Sequence, residues 1–258
     1  MYKRQICSGA RPLFFLDYLA CNKVLPEVIN EVVGGMAEAC GEAGCALIGG
    51  EIAEMGEVYR VGEYDLAGFA VGLADRQAML GSQRVQPGDS LIGLQSSGVH
   101  CNGFSLVRSV FAGLTDGQWA EELPELKASL REALLAPTRC YVNPVLRLAG
   151  RGLLSAAVHV SGGGLQDNLP RVIPAGLCAH VDRDAVPVPA VFDIIRARGG
   201  VEPDEMWHVF NMGVGFVVIA PERHAEDVLA ECRDEGCPAY VIGRVSESPA
   251  DGRFDWVQ

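Results

Sequence analysis

The sequence predicts a mixed α/β protein, of the α/β or α+β class, that is built from two domains. Its 258 residues exceed the roughly 100–200 residues of a typical single domain, and 49% of them are hydrophobic, which is enough for two cores. Glycine is abundant, with 31 residues, whereas aromatic residues make up 7%, and this balance favours tight turns over an all-β sandwich. Strand-like and helical patterns alternate along the chain, which argues against a bundle or a barrel. We place the domain boundary at the turn signal 86–89, which gives domains at 1–86 and 87–258.

The first domain is predicted to contain one long helix and two strands. Apolar residues recur at helical spacing over 25–40, with Pro26 near the start and Gly44 beyond the end. The apolar run 46–48 is predicted to be a strand that ends in a glycine-rich turn. The stretch 65–74 alternates small and large apolar residues, which indicates a buried strand.

The second domain is predicted to contain further strands and helices around one core. The apolar runs that predict strands lie at 90–95, 156–160, 177–181, 214–220 and 239–245. Helical spacing predicts helices at 103–113, 130–135, 142–148, 191–197 and 223–235. The acidic segment 117–126 is predicted to be a surface excursion.

The charge and the cysteine content exclude several classes of protein. The net charge is −12 and no basic cluster occurs, so we expect no nucleic-acid partner. An anionic ligand must then be held by backbone N–H groups, helix N-termini or a metal ion. Nine cysteines without a Cys-x-x-Cys pair predict reduced thiols, as in the cytoplasm, rather than disulfides or a zinc site. Without a signal peptide or an apolar run of about 18 residues, we expect a soluble protein that does not enter a membrane.

Three glycine-rich segments after predicted strands are candidate ligand sites. The first is Gly49-Gly50-Glu51, where two glycines would let the backbone approach a ligand closely. The carboxylates of Glu51 and Glu54 supply the hard oxygen atoms that Mg²⁺ prefers. Solvated carboxylates after a plain turn explain this segment too, and the residues alone favour that interpretation.

The second segment, Ser96-Ser97-Gly98, leads through His100 and Asn102 into a predicted helix. Small hydroxyl residues, an unhindered backbone and a helix N-terminus are suited to binding an anion, so Ser97 and Gly98 are candidate phosphate ligands. His100 could donate or accept a proton, and Asn102 could add an amide. An alternative stays open, in which Asn102 caps the helix and His100 lies on the surface.

The third segment, Gly162-Gly163-Gly164, follows the strand predicted at 156–160. Because glycine loses more conformational entropy on folding than other residues, a triplet here favours a phosphate cradle over a purely structural role. The segment matches neither the P-loop nor the Rossmann glycine pattern.

Two other polar residues could take part in chemistry. Asp17 could be catalytic and Arg139 could bind a phosphate, but a satisfied buried acid and a surface arginine are the simpler interpretations. From the residues alone, we expect the chain to bind one or more phosphorylated ligands together with Mg²⁺.

The order of these motifs resembles the aminoimidazole ribonucleotide synthetases, also called phosphoribosylformylglycinamidine cyclo-ligases. The matching stretches are Phe14-Phe15-Leu16-Asp17-Tyr18, Gly49-Gly50-Glu51, Ser96-Ser97-Gly98-Val99-His100, Asn102-Gly103-Phe104, Ala136-Pro137-Thr138-Arg139, Gly162-Gly163-Gly164, Asn168-Leu169-Pro170 and Asn211-Met212-Gly213. Together they span nearly all of residues 9–245.

The resemblance implies a fold, a reaction and a set of site residues. The implied fold has an N-terminal domain that pairs into a β-barrel in a homodimer, and a C-terminal α/β domain. The implied reaction belongs to purine biosynthesis: formylglycinamidine ribonucleotide and ATP give aminoimidazole ribonucleotide, ADP and phosphate. In such enzymes ATP is thought to phosphorylate the formyl oxygen before the amidine nitrogen closes the ring. By position, the implied site consists of Glu51 at the Mg-ATP site, His100 and Asn102 as catalytic residues at the nucleotide substrate, and Gly49, Gly50, Ser97, Gly98, Gly162, Gly163 and Gly164 as ATP or phosphate ligands.

The chain also departs from the family pattern. Members of the family begin upstream with a glycine-rich region and an Asp-Gly-Val-Gly-Thr-Lys motif, so we expect this chain to lack an N-terminal catalytic segment and its first domain to be an incomplete half-barrel. Ile52 replaces a usual threonine in the first segment. Enzymes of the same architecture stay open as alternatives, namely formylglycinamidine ribonucleotide synthetase, thiamine-monophosphate kinase and selenophosphate synthetase. A non-catalytic fragment that binds nucleotide is the alternative from another class.

Overall fold

The structure, a computed structural model, describes residues 5–248 and 252–257 and confirms the mixed α/β class. It divides into two compact units. The first unit comprises the chain up to Met79 together with Cys140–Leu146, and the second comprises Leu80–Arg139 and the chain from Arg147 onward. The domain boundary at residue 86 stays a prediction from the sequence.

The first unit is a three-stranded sheet with one long helix. Its elements are β1 (Arg11–Cys21), α1 (Pro26–Glu42), β2 (Ala46–Glu54) and β3 (Tyr64–Leu73). The strand order is β2-β1-β3, and β1 pairs parallel with β2 and antiparallel with β3. Helix α1 and strand β3 occur where they are predicted, but β3 is not the buried strand expected, since none of its residues is buried. Strand β1 was not predicted because Pro12 and Asp17 interrupt its apolar pattern.

Paired residues of neighbouring strands share a face of this sheet. One face carries Leu19 of β1, which is 1% exposed, and its partner Leu66. The opposite face carries Leu16 and its partner Phe69. Tyr18, two residues after Leu16 on β1, lies on the same face. Phe69 and Leu73, four residues apart on β3, are 63% and 64% exposed. We call the surface formed by Leu16, Tyr18, Phe69 and Leu73 the open face.

The second unit is built around a six-stranded sheet in the order β11-β8-β10-β4-β9-β7. Its strands are β4 (Ser90–Gln95), β7 (Ala156–His159), β8 (Leu177–Asp182), β9 (Val214–Ala220), β10 (Ala239–Glu247) and β11 (Phe254–Val257). A small hairpin, β5 (Glu122–Leu123) and β6 (Ala128–Ser129), begins in the predicted acidic excursion 117–126 and ends just beyond it. Leu91 and Ile219, which pair across β4 and β9, are fully buried in one core with Phe192.

The helices that follow in the chain are mostly short. They are α2 (Phe104–Val110), α3 (Asp116–Ala120), α4 (Leu130–Leu135), α5 (Val142–Gly150), α6 (Gly164–Asn168), α7 (Ala190–Gly199), α8 (Pro203–Val209) and α9 (Ala225–Asp234). Single turns of 3₁₀-helix occur at Ser82–Arg84, Leu169–Arg171 and Glu222–His224. Within residues 5–248 and 252–257, none of the helices has the length and apolar character needed to cross a membrane.

Candidate functional site

The first predicted site segment lies inside strand β2 and not in a turn after it, so that part of the sequence prediction was wrong. Gly50 pairs with Asp17, and a Cβ atom at Gly50 would overlap the Asp17 carboxylate. Gly49, with φ 140°, lies where the register of β2 shifts between Phe15 and Leu16 of β1. Both glycines therefore have a structural reason in the packing of β2 on β1.

Glu51 and Glu54 cannot bind one ion together, because they are three residues apart on a regular stretch of β2 and point to opposite faces. Both side chains are exposed: Glu54 Oε2 accepts the N–H of Val24 at 2.9 Å, and Glu51 Oε1 accepts the N–H of Ile52 at 3.0 Å. In the part of the chain that the structure describes, no group of three His, Cys, Asp or Glu side chains is placed to hold a metal. Mg²⁺ in nucleotide sites is commonly held by one or two carboxylates and the phosphates themselves. A single carboxylate is therefore enough, and Glu51 can supply it.

The second segment forms a tight turn after β4, as predicted, with His100 inside it. His100 is 7% exposed and has φ 62°, a left-handed conformation that is uncommon outside glycine. Its Nε2 atom accepts the backbone N–H of Ser97 at 3.1 Å. The surface position that was left open for His100 is thereby excluded.

Asn102 does not cap the helix that follows. Helix α2 begins at Phe104 with Gly103 as its N-cap residue, and no side chain caps it. Gly103 has φ 83°, and a Cβ atom there would overlap the ring of Phe210. The side chain of Asn102 is thus available for another role.

Ser97 links the second segment to 136–139. Its hydroxyl donates to the carbonyl oxygen of Pro137 at 2.5 Å and accepts the backbone N–H of Arg139 at 3.1 Å. Its own N–H is donated to His100, so both donor hydrogens of Ser97 are used within the protein. Ser97 can bind a phosphate only if one of these bonds breaks. Arg139 is held as well, since its Nη1 donates to the carbonyl oxygen of Gly236 at 3.0 Å.

The glycine triplet follows β7, and its three residues are constrained differently. Gly163 and Gly164 have φ 89° and 59°. A Cβ atom at Gly163 would overlap the side chain of Asp167, and one at Gly164 would overlap the carbonyl oxygen of Trp207. The expectation that structure alone could not account for the triplet was therefore wrong for these two residues.

Gly162 is the member of the triplet that has room beside it. A Cβ atom on Gly162 would meet a single neighbour, Asn102 Oδ1 at 3.7 Å, which is an ordinary contact. Gly162 and Asn102 therefore face each other, and the second and third segments meet at this point. Both belong to the second unit, whereas Gly49, Gly50 and Glu51 belong to the first.

Asn168, which the sequence analysis did not select as a site residue, organises the glycine triplet. It is fully buried, and its Nδ2 atom lies 3.2 Å from the carbonyl oxygen of Gly162, 2.6 Å from that of Gly164 and 3.4 Å from that of Ser161. Its Oδ1 atom accepts the hydroxyl of Ser161 at 3.0 Å. The signal in the sequence was an amide side chain a few residues after the glycines.

Asn211 plays the same part for the second segment. It is 5% exposed, and its Nδ2 atom donates to the carbonyl oxygens of Gly98 at 2.9 Å and Val99 at 3.2 Å. Its Oδ1 atom accepts the N–H of Gly213 at 2.9 Å. The contacts with Gly98 and Val99 join residues that are more than a hundred positions apart, so no local pattern could have indicated them.

A cavity of about 890 Å³ lies elsewhere in the second unit, along β8, β10 and β11. Ser90, His180, Arg244, Ser246 and Asp255 line it, and none of the predicted site residues does. Because no predicted site residue lines this cavity, the candidate site remains where Asn102 meets Gly162.

Comparisons with known proteins confirm the family resemblance that the order of the motifs indicates. The family model described as AIR synthase related protein, N-terminal domain, matches residues 5–74, and the one described as AIR synthase related protein, C-terminal domain, matches residues 86–255. A protein from Shouchella clausii named phosphoribosylformylglycinamidine cyclo-ligase is 47% identical over 250 residues, which cover 96% of this chain and 71% of that protein.

Solved structures share the fold at lower identity. A thiamine-monophosphate kinase from Stenotrophomonas maltophilia K279a gives a TM-score of 0.73 at 23% identity, covering 98% of this chain and 74% of the kinase. The hydrogenase maturation protein HypE in complex with ATP gives 0.69 at 23% identity, covering 97% of this chain and 71% of HypE. The two family models and the far higher identity to the cyclo-ligase decide between these relatives: the chain belongs to the AIR synthase related proteins and, within them, to the phosphoribosylformylglycinamidine cyclo-ligase family.

Proposed function

We propose that this protein is an ATP-dependent enzyme of purine biosynthesis that closes the imidazole ring, converting formylglycinamidine ribonucleotide to aminoimidazole ribonucleotide. The observation that carries the proposal is the 47% identity to a protein named for this reaction, over 96% of the chain. The meeting of Asn102 with Gly162 supports it, because two turns of small residues leave the backbone accessible to a phosphorylated ligand.

The second unit contributes positioning and polar groups to this reaction. We assign the phosphate of the ribonucleotide to the glycine triplet at Gly162, and proton transfer or orientation of the reacting groups to His100 and Asn102. Such a site stabilises charge with fixed dipoles and needs no covalent nucleophile. ATP is the phosphate donor in this proposal, and HypE, a relative by fold, has been solved with ATP.

Mg²⁺ is the cofactor we assign to the first unit. The exposed carboxylate of Glu51 would hold the ion, which would offset the charge of the ATP phosphates. Glu54 takes no part because its side chain lies on the other face of β2, three residues from Glu51.

We also propose that the protein is a homodimer joined through the open face. Leu16, Tyr18, Phe69 and Leu73 place large apolar side chains together on one sheet surface, and contiguous exposed apolar surface marks an interaction site. Glu51 pairs with Tyr18 on the same side of the sheet but on the edge strand β2, so the proposed interface covers β1 and β3 and leaves the β2 edge to the ion. A second copy of the same face is the occupant that fits, since twofold dimers bury identical patches against each other. We place the protein in the cytoplasm, a proposal that its nine scattered cysteines without a Cys-x-x-Cys pair support.

The test is turnover by the purified protein, produced in a host that lacks its own cyclo-ligase. With formylglycinamidine ribonucleotide, Mg²⁺ and ATP, we expect aminoimidazole ribonucleotide and ADP in equal amounts, measured by chromatography and mass spectrometry. Thiamine monophosphate serves as the competing substrate. Phosphorylation of thiamine monophosphate without ring closure would assign the protein to the kinase alternative, and ATP binding without either product would leave a non-catalytic fragment.

A further inference from the structure

We propose that Asn168 and Asn211 are positioning residues, which set the direction of the backbone N–H groups in the two turns of the candidate site. The structural part of this inference stands on the hydrogen bonds alone. Its kinetic consequence rests on the proposed function.

Asn168 draws the carbonyl oxygens of Ser161 and Gly162 toward the protein interior, because its buried amide nitrogen donates to them. The C=O and N–H groups of a trans peptide point in opposite directions, and no peptide bond among the described residues is cis. The N–H groups of Gly162 and Gly163 therefore point away from Asn168. These two N–H groups are the donors that we assign to the ligand phosphate.

Asn211 acts on the other turn in the same way. Its amide nitrogen holds the carbonyl oxygens of Gly98 and Val99, which directs the N–H groups of Val99 and His100 away from it. The left-handed conformation of His100 lies directly after this contact, and that of Met212, with φ 47°, lies directly after Asn211 itself. Non-glycine residues persist in this conformation only where neighbouring contacts hold them.

An asparagine is required at both positions because each side chain donates with one atom and accepts with the other. Asn168 accepts the hydroxyl of Ser161, and Asn211 accepts the N–H of Gly213. An aspartate has nearly the same shape and keeps the accepting oxygen, but when ionised it cannot donate to the turn carbonyls. The substitutions Asn168→Asp and Asn211→Asp therefore remove the positioning bonds and leave the other half of each contact in place.

The experiment compares hydrogen exchange and kinetics of the full chain with each substitution. We expect Asn168→Asp to speed amide exchange at 161–165 but not at 96–102, and Asn211→Asp to do the reverse. We expect each to lower kcat about tenfold or more with a smaller change in KM, since misplacement by about 1 Å can cost about a hundredfold in rate. Ser161→Ala is the matched variant, because it leaves the donors of Asn168 in place and should keep exchange at 162–165 near the parent value.

A second control separates positioning from loss of stability. Val228→Ala truncates a fully buried side chain on α9 that belongs to neither turn, and it should lower the Tm without a comparable fall in kcat. If Val228→Ala reduces kcat as much as the aspartate variants at an equal Tm loss, the two asparagines are merely structural and the proposal fails. It also fails if both folded aspartate variants exchange and turn over like the parent. Should the parent itself form no aminoimidazole ribonucleotide, the proposed function is lost while the exchange measurement still decides the positioning role.

Discussion

Three consecutive glycines in this protein are not under the same constraints, although the sequence presents them as one motif. Gly163 and Gly164 are fixed by positive φ angles and by close neighbours, so their substitution tests the fold. Gly162 has a conformation and surroundings that accept a side chain, so its substitution tests the ligand site. Experiments on phosphate binding should therefore begin at Gly162.

We predict that Gly162→Ala weakens binding of the ribonucleotide substrate about tenfold or more while the Tm stays unchanged, because a methyl group would obstruct charge-assisted hydrogen bonds from the backbone. Gly164→Ala is the contrasting variant and should lower the free energy of unfolding by at least about 1–2 kcal/mol, given its left-handed conformation. Titration calorimetry and urea unfolding measure the two effects. Parental affinity in a folded Gly162→Ala protein would remove Gly162 from the phosphate site.

His100 can act in two ways that one pair of variants separates. We predict that His100→Ala lowers kcat by about 10² or more if the ring transfers a proton. His100→Gln carries an amide oxygen with about the reach of Nε2, so it can accept the Ser97 N–H without transferring a proton. Equal loss of kcat in both variants indicates proton transfer, whereas near-parental turnover in His100→Gln shows that the ring only holds the turn.

The site could be found only in part from the sequence. The glycine-rich segments stand out because glycine loses more conformational entropy on folding than other residues, so a turn or a ligand has to require it. His100 stands out because an ionisable side chain lies between a glycine-containing turn and a predicted helix. Asn168 and Asn211 do not stand out, since their role depends on which carbonyl groups the fold brings to them. The pairing of Asn102 with Gly162 likewise appears only when two distant turns meet.

At the scale of elements, two helices end with the same local sequence, Cys-x-x-x-Gly-Cys. In α1 the closing bond runs from the N–H of Cys45 to the carbonyl oxygen of Cys40, with Gly44 at φ 63°. After α9, Cys237 and Cys232 make the same bond. Burial raises the pKa of the Cys237 thiol to about 11 and that of Cys232 to about 12, so both stay protonated near neutral pH. These thiols serve as small apolar contacts that close the helix ends.

Two glycines of α1 should respond to substitution with opposite signs. We predict that Gly34→Ala stabilises the protein by about 0.5–1 kcal/mol, because Gly34 lies in the helix interior with no atom close to an added Cβ. Gly44→Ala should destabilise it by about 1–2 kcal/mol, since Gly44 has a left-handed conformation. Urea unfolding of both variants checks the signs, and stabilisation by Gly44→Ala would contradict the helix ending described for α1.

Strands formed by an uninterrupted apolar run could be predicted from the sequence, whereas short elements and strands with polar residues could not. Strands β4 and β9 occur at the predicted residues because every side chain in β9, and nearly every one in β4, is buried. Strand β11 has four residues and α8 has seven, too few for a periodic pattern to form. The glycines of β2 were misread as a turn because Asp17, which requires Gly50, lies on another strand.

At the scale of the whole molecule, the open face of the first unit is the surface that most needs a partner. We predict that Phe69→Glu shifts a dimer toward monomers, because it places a charge in the middle of an apolar interface. Val61→Glu is the matched control, since Val61 is 91% exposed in the turn before β3. Sedimentation velocity of both variants measures the effect. A parent protein that is monomeric at every concentration tested would rule out this use of the open face.

The open face also determines how thermal stability has to be compared between samples. If two copies fold and associate together, the equilibrium between native dimer and unfolded monomers obeys mass action, and each tenfold dilution costs about 1.4 kcal/mol per dimer. The Tm of the parent should then rise with protein concentration, whereas that of Phe69→Glu should not. A variant measured at a lower concentration than its parent would appear destabilised even if its substitution were neutral.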